Sequence, residues 1–323
     1  VTALGYADLL ALPGIGGYLE RVERRLAGDV AWAGGATAAT AADTVAAGGK
    51  RLRPLLVLLS APVDAHDRDD LVRAGAAVEL VHMATLVHDD VIDHAALRRG
   101  RPTIWAQHGA DIAGATGDFL FARAFAVLAE TGDMESLSLL AAAALGLSEG
   151  EALQMLQTRD PETTPERYYE RCTLKTGRLF AAACGLGGRL GGLGDADAEA
   201  LAEYGRLLGL AFQVADDILD CDGTAEATGK ALGTDLIGGT ATLPLLLAAR
   251  HDPVVADALR SAPAPDDVLG LLARVADSGA LDAARDEARG LVHAAEEALD
   301  RITGDLDTAP LRMVVRGVVD RDT

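Results

Sequence analysis

Cysteine, basic residues, strand-like alternation and long apolar runs are all scarce in this chain. It has three cysteines, Cys172, Cys184 and Cys221. The number is odd and neither CxxC nor Cys/His spacing is present, so neither a disulfide framework nor a zinc site is implied. Lysine and arginine number 29 against 49 aspartates and glutamates, a formal net charge of -20. That deficit of positive charge argues against nucleic acid and anionic membrane surfaces as partners. Apolar runs such as Pro54 to Val63 stop short of a bilayer, so no integral membrane segment is expected. Asn-Gly hairpin signals are missing and β-branched alternation is rare, which weighs against an all-β chain. The chain opens at Val1 with no starting Met, no charged n-region and no cleavage pattern. We expect a trimmed chain and a cytoplasmic protein.

Half of the residues are apolar, enough for a sizeable core. Alanine-rich stretches at helical period predict an all-α fold. Residues 1–47 read as helices with breaks at Gly14-Ile15-Gly16-Gly17 and Gly34-Gly35. Six glycines fall within Gly185 to Gly194, which we read as an inter-helix turn rather than a domain boundary.

The chain is organised around His88-Asp89-Asp90-Val91-Ile92-Asp93, which closes a proline-free apolar run from Ala74 to Val87. At about 100° per residue, Asp89, Asp90 and Asp93 fall at about 0°, 100° and 40°, on one helix face. Three anions on an apolar face are costly unless cations neutralise them. Hard oxygen donors at this spacing suit Mg²⁺ together with a substrate phosphate. A second copy, Asp216-Asp217-Ile218-Leu219-Asp220, closes the apolar run Leu207 to Val214. Glu79 and His82 form an ExxH pair, but no other histidine has Glu three residues before it, which excludes a di-iron bundle.

With these two motifs, from about Gly48 to Arg321, the chain resembles the trans-isoprenyl diphosphate synthases, a family of head-to-tail prenyltransferases. The resemblance implies that Asp89, Asp90, Asp93, Asp216, Asp217 and Asp220 hold Mg²⁺ ions against an allylic diphosphate. It implies a single-domain bundle of long helices around a deep cavity, spanning residues 1–323. It also implies an isopentenyl diphosphate and an allylic diphosphate as substrates, a homodimer, and release of pyrophosphate that then acts as base.

Gly48-Gly49-Lys50-Arg51-Leu52-Arg53-Pro54 sets three cations around a glycine turn before a helix, either an anion cradle or a basic cap. The resemblance assigns Lys50, Arg51 and Arg53 to isopentenyl diphosphate, with His82, which projects about 20° from Asp89. Arg98 and Arg99 follow the first motif in a loop, where arginine offers bidentate donors to phosphate. By resemblance Arg98 takes the allylic diphosphate and Arg99 isopentenyl diphosphate. Lys175, inside an apolar helix and followed by Thr176, needs an anion. Lys175, Thr176, Gln213 and Lys230 are implied ligands of the allylic diphosphate. No role is derived for Glu149 to Gln154. At Thr240 many members carry a second lysine, so one cation is missing here, and we expect lower affinity. Arg316 and Arg321 are given no catalytic role.

Ala84 and Thr85 are small where short-chain members carry aromatics. One helical turn is about 5.4 Å, close to one isoprene unit. We therefore expect products of four or more units, with Phe121 or Phe125 as a possible floor. Two other readings fit DDxxD in principle, a class I terpene cyclase and a non-catalytic partner subunit. Asp220 stands where the cyclase pattern needs Ser or Thr, and a partner subunit is expected to have lost motif residues.

Overall fold

The computed structural model describes residues 3–31, 35–98, 100–222 and 232–319. They form helices α1 (Ala3–Leu10), α2 (Ile15–Val30), α3 (Gly35–Ala46), α4 (Leu52–Leu59), α5 (Asp69–Ile92), α6 (Ile104–His108), α7 (Ala110–Ala129), α8 (Met134–Gln157), α9 (Pro165–Cys172), α10 (Arg178–Gly191) and α11 (Asp195–Asp222). After the second acidic motif come α12 (Thr234–Gly238), α13 (Leu243–Ala249), α14 (Pro253–Ser261), α15 (Val268–Asp277), α16 (Ala280–Asp300) and α17 (Ala309–Val319). Among the described residues the one sheet is a two-stranded ladder, Leu97–Arg98 against Arg101–Pro102. The all-α expectation holds.

Local sequence explains where the helices of the site begin and end. Asp69 and Asp70 in the first turn of α5 complement its positive end. Asp133 accepts from the Ser136 amide at the start of α8, and Thr164 accepts from the Arg167 amide at the start of α9, where Pro165 also fits. A π-helical turn, Thr173–Gly177, joins α9 to α10.

The α5 helix lies against α7 along its length and also touches α2, α4 and α10, while α11 packs between α10 and α16. One core holds Leu56, Leu80, Leu120, Phe180 and Leu208; a second holds Tyr168, Leu210, Val214, Ile218 and Leu245. Adjoining faces of α11 serve the two cores, Leu201, Tyr204, Leu208 and Ala211 the first and Leu210, Val214, Ile218 and Cys221 the second. Both acidic motifs therefore sit on helices that run through the interior, which is why their carboxylates can be withdrawn from water.

The glycine-rich stretch corrects the expected turn. Residues through Gly191 are helical, and the chain turns only at Gly192, with φ +96°. A Cβ on Gly187 would lie 2.2 Å from the Val57 carbonyl oxygen, so glycine is needed for α10 to touch α4. A second correction concerns apolar length. By length and composition alone, α5, α7 and α8 are each long enough to cross a bilayer. Scattered polar residues hid this from a count of uninterrupted runs. In α5, 72% of the most apolar stretch is buried inside the fold.

Candidate active site

The first acidic motif closes α5, and burial acts on it unevenly. Asp90 is buried and accepts from Arg98 Nε at 2.8 Å, whereas Asp93 caps the helix in solvent. Asp89 is half-buried and lies 3.9 Å from Lys175 Nζ. Desolvation raises the Asp89 carboxyl to about 6; Lys175 opposes the rise, while Glu151 and Asp93 add to it. Burial also raises Asp90, against the pull of Arg98. A carboxylate cluster held this way gains from any cation that reaches it.

Lys175 stands on the π-helical turn, a feature that often marks functional sites. Its ammonium donates to Glu151 and to Gln154 Oε1, both on α8. These contacts explain the acidic and glutamine stretch of α8, for which the sequence offered no role. The turn fits because residue 150 is glycine: a Cβ there would lie 2.6 Å from the Lys175 amide nitrogen. The next residue, Thr176, donates its hydroxyl to Gln213 Oε1 at 2.9 Å.

Gln213 carries the connection into the second motif, donating to Asp217 Oδ1 at 2.9 Å. Asp217 is only 3% exposed, and the Tyr168 hydroxyl donates to its other oxygen at 2.6 Å. Burial raises its carboxyl, with Tyr168 and Gln213 opposing. Asp216 is exposed. Asp220 accepts from the Thr234 hydroxyl and from the amides of Thr234 and Asp235, so it anchors the start of α12. Thus Lys175 and Thr176, adjacent in the chain, reach one acidic motif each.

The basic segment before α4 divides into different environments. Lys50 is exposed, and His82 is half-buried on α5. Arg51 is buried, with its backbone at φ +48°, and donates to Glu23, to Glu79 Oε1 at 2.9 Å and to the Val45 carbonyl. Glu79, half of the ExxH pair, is therefore its buried counter-ion. Arg53 lies over the Phe180 ring, 4.6 Å from guanidinium carbon to centroid, and its buried Nε has no hydrogen-bond partner. Desolvation lowers it to about 10, against the attraction of Glu79. Arg99 and Lys230 lie outside the described residues.

A cavity of about 430 Å³ opens beside the Asp89–Lys175 pair, lined by Thr85, His88, Phe121 and Leu147 among others. Of the four residues expected to set chain length, Thr85 and Phe121 line it. Ala84 is fully buried in the core, and Phe125 packs against the core from a half-buried position. His88, which the sequence reading left unassigned, stacks on Phe121 with centroids 5.7 Å apart.

Residues 36–268 match the family described as Polyprenyl synthetase. The chain belongs to the polyprenyl synthetase family. It is 40% identical to the octaprenyl diphosphate synthase of Escherichia coli over 219 residues, 68% of either protein. Its structure matches a decaprenyl diphosphate synthase from Rhodobacter capsulatus with TM-score 0.89 and 31% identity, covering 98% of this chain and 99% of that one. It also matches a polyprenyl synthase from Caulobacter crescentus complexed with calcium and isoprenyl diphosphate, with TM-score 0.84, 37% identity and coverage of 98% and 96%. The family expected from the two acidic motifs is thus the family found, and its solved members share this all-helical architecture.

Proposed function

We propose that this polyprenyl synthetase is a Mg²⁺-dependent prenyltransferase of one domain. It joins isopentenyl diphosphate head to tail to an allylic diphosphate and gives products of four or more isoprene units. The observation that carries this reading is the π-helical turn, whose Lys175 reaches Asp89 and whose Thr176 reaches Asp217 through Gln213, beside an apolar cavity. Two acidic motifs, a cation and a chain-sized cavity meet there.

The donor set fits a hard divalent cation. Among the described residues no group of three or more His, Cys, Asp or Glu side chains forms a ready-made metal site. Mg²⁺ does not require one, since it commonly binds one or two carboxylates and completes its shell with water and substrate phosphate. Asp89 and Asp90 on α5 and Asp93 at its C-cap, with Asp216, Asp217 and Asp220 on α11, would hold it; Asp90 accepts from Arg98, Asp217 from Tyr168 and Gln213, and Asp220 from the start of α12. Bound there, the metal supplies Lewis-acid stabilisation of the departing diphosphate.

The protein's own groups do the rest. Lys175, Thr176 and Arg98 orient the allylic diphosphate and take up charge as its C–O bond breaks, an electrostatic contribution to the transition state. Lys50, Arg53 and His82 hold isopentenyl diphosphate, and Arg51 joins them if Glu23, which is half-buried, releases it. The double bond attacks the allylic carbon, and the released pyrophosphate accepts the proton lost. Thr85, Phe121 and Leu147 receive the growing chain. Two molecules of the chain pair through α8, whose Leu145, Met155 and Leu156 are exposed. The reaction takes place in the cytoplasm. Asp89→Ala and Asp216→Ala abolish product formation while helical circular dichroism is retained; full activity in both variants would refute the mechanism.

A further inference from the structure

Tyr168 belongs to no motif of the sequence, yet it is among the largest fully buried side chains of the fold. Its hydroxyl and the Gln213 amide donate to the two oxygens of Asp217 at 2.6 and 2.9 Å, so neither carboxylate oxygen is left without a neutral donor. The ring itself is fixed. Arg171 lies over it, 5.3 Å from guanidinium carbon to centroid, and is tied to Gln157 Oε1 at 2.9 Å and to the Ala241 carbonyl at 2.8 Å. A carboxylate is an expensive partner for a tyrosine that serves packing alone, because its charge must be desolvated.

We propose that Tyr168 is a positioning residue, which through its hydroxyl fixes the Asp217 carboxylate in the orientation that takes a divalent cation. The inference rests on the reading of the second acidic motif given above. Groups that orient metal ligands from outside contribute roughly 10–100-fold to metal affinity. Because Gln213 also accepts from Thr176, the same network ties Asp217 to the turn that holds the diphosphate.

The test is Mn²⁺ binding to the full chain with inorganic pyrophosphate, followed by the electron paramagnetic resonance of free Mn²⁺. Wild type, Y168F and Y18F are compared, and melting temperature is recorded for each. Tyr18 is also buried, but its hydroxyl donates to the Pro54 and Leu71 carbonyls, and Leu71 is at the far end of α5 from Asp89. Y18F therefore reports the loss of a buried hydroxyl's bonds at a place that touches neither acidic motif. The expected result is that Y168F weakens Mn²⁺ binding about tenfold or more and raises the metal concentration for half-maximal turnover, while Y18F lowers melting temperature only. Binding by Y168F within about twofold of wild type overturns the proposal, whatever its melting temperature. If wild type itself shows no pyrophosphate-dependent Mn²⁺ binding, the reading of the motif fails and the inference with it. Should Y168F not fold, R171M, which keeps the hydroxyl but frees the ring, takes its place: weaker binding supports the proposal and unchanged binding overturns it.

Discussion

The Lys175 ammonium lies 3.9 Å from the Asp89 carboxylate while Glu151 and Gln154 accept its hydrogen bonds. A lysine shared among these groups can pass to a diphosphate without being desolvated anew. Lys175→Met is expected to lower kcat by about 10²–10³-fold at saturating metal, the usual effect of deleting one transition-state donor. KM for isopentenyl diphosphate changes little. Steady-state assays with each substrate varied decide the point, and a loss smaller than about threefold contradicts this role.

Gly187 and Gly28 make opposite predictions for the same substitution. An alanine Cβ at 187 meets the Val57 carbonyl oxygen at 2.2 Å, whereas at 28 nothing lies within 4 Å. Gly187→Ala should destabilise by about 1–3 kcal/mol through overpacking. Gly28→Ala, inside α2, should stabilise by roughly 0.5–1 kcal/mol. Urea unfolding of both variants provides the comparison.

Product length should follow the residues that line the cavity. Thr85→Phe shortens the product ladder and Phe121→Ala lengthens it, because both positions face the cavity. Phe125→Ala lowers stability and leaves the ladder unchanged. Mass analysis of dephosphorylated products distinguishes these outcomes.

Arg189 holds the Asp133 carboxyl well below the ordinary carboxylate range by donating from Nε at 2.6 Å, helped by Ser136. A depressed folded-state pKa contributes stability that is present above the unfolded value of about 3.9 and is lost as pH falls below it. Asp133→Asn should therefore destabilise at pH 7, by no more than about 1 kcal/mol for a partly exposed pair. The difference from wild type should shrink below about pH 4. Thermal melts across pH 3–7, a range set by that unfolded value, check the sign.

The acidic motifs were legible because their chemistry is local: carboxylates at positions one and four apart on an apolar helix need an explanation wherever the helix lies. Their partners were not. Tyr168 and Asp217 are 49 residues apart, and Arg51 and Glu79 are 28 apart. Neither pairing leaves a trace in spacing. The glycines of α10 misled for a different reason. Missing side chains serve a turn or a close helix crossing equally well, and only the neighbouring α4 shows which. Ala84 and Thr85 looked equivalent by position, yet one faces the core and the other the cavity.

The most direct test of the central claim is incubation of the purified chain with Mg²⁺, isopentenyl diphosphate and, separately, dimethylallyl, geranyl, farnesyl and geranylgeranyl diphosphate, with mass analysis of dephosphorylated products. The account predicts metal-dependent elongation to four or more isoprene units. Products no longer than three units, hydrocarbon release without elongation, or no turnover with any primer would contradict it.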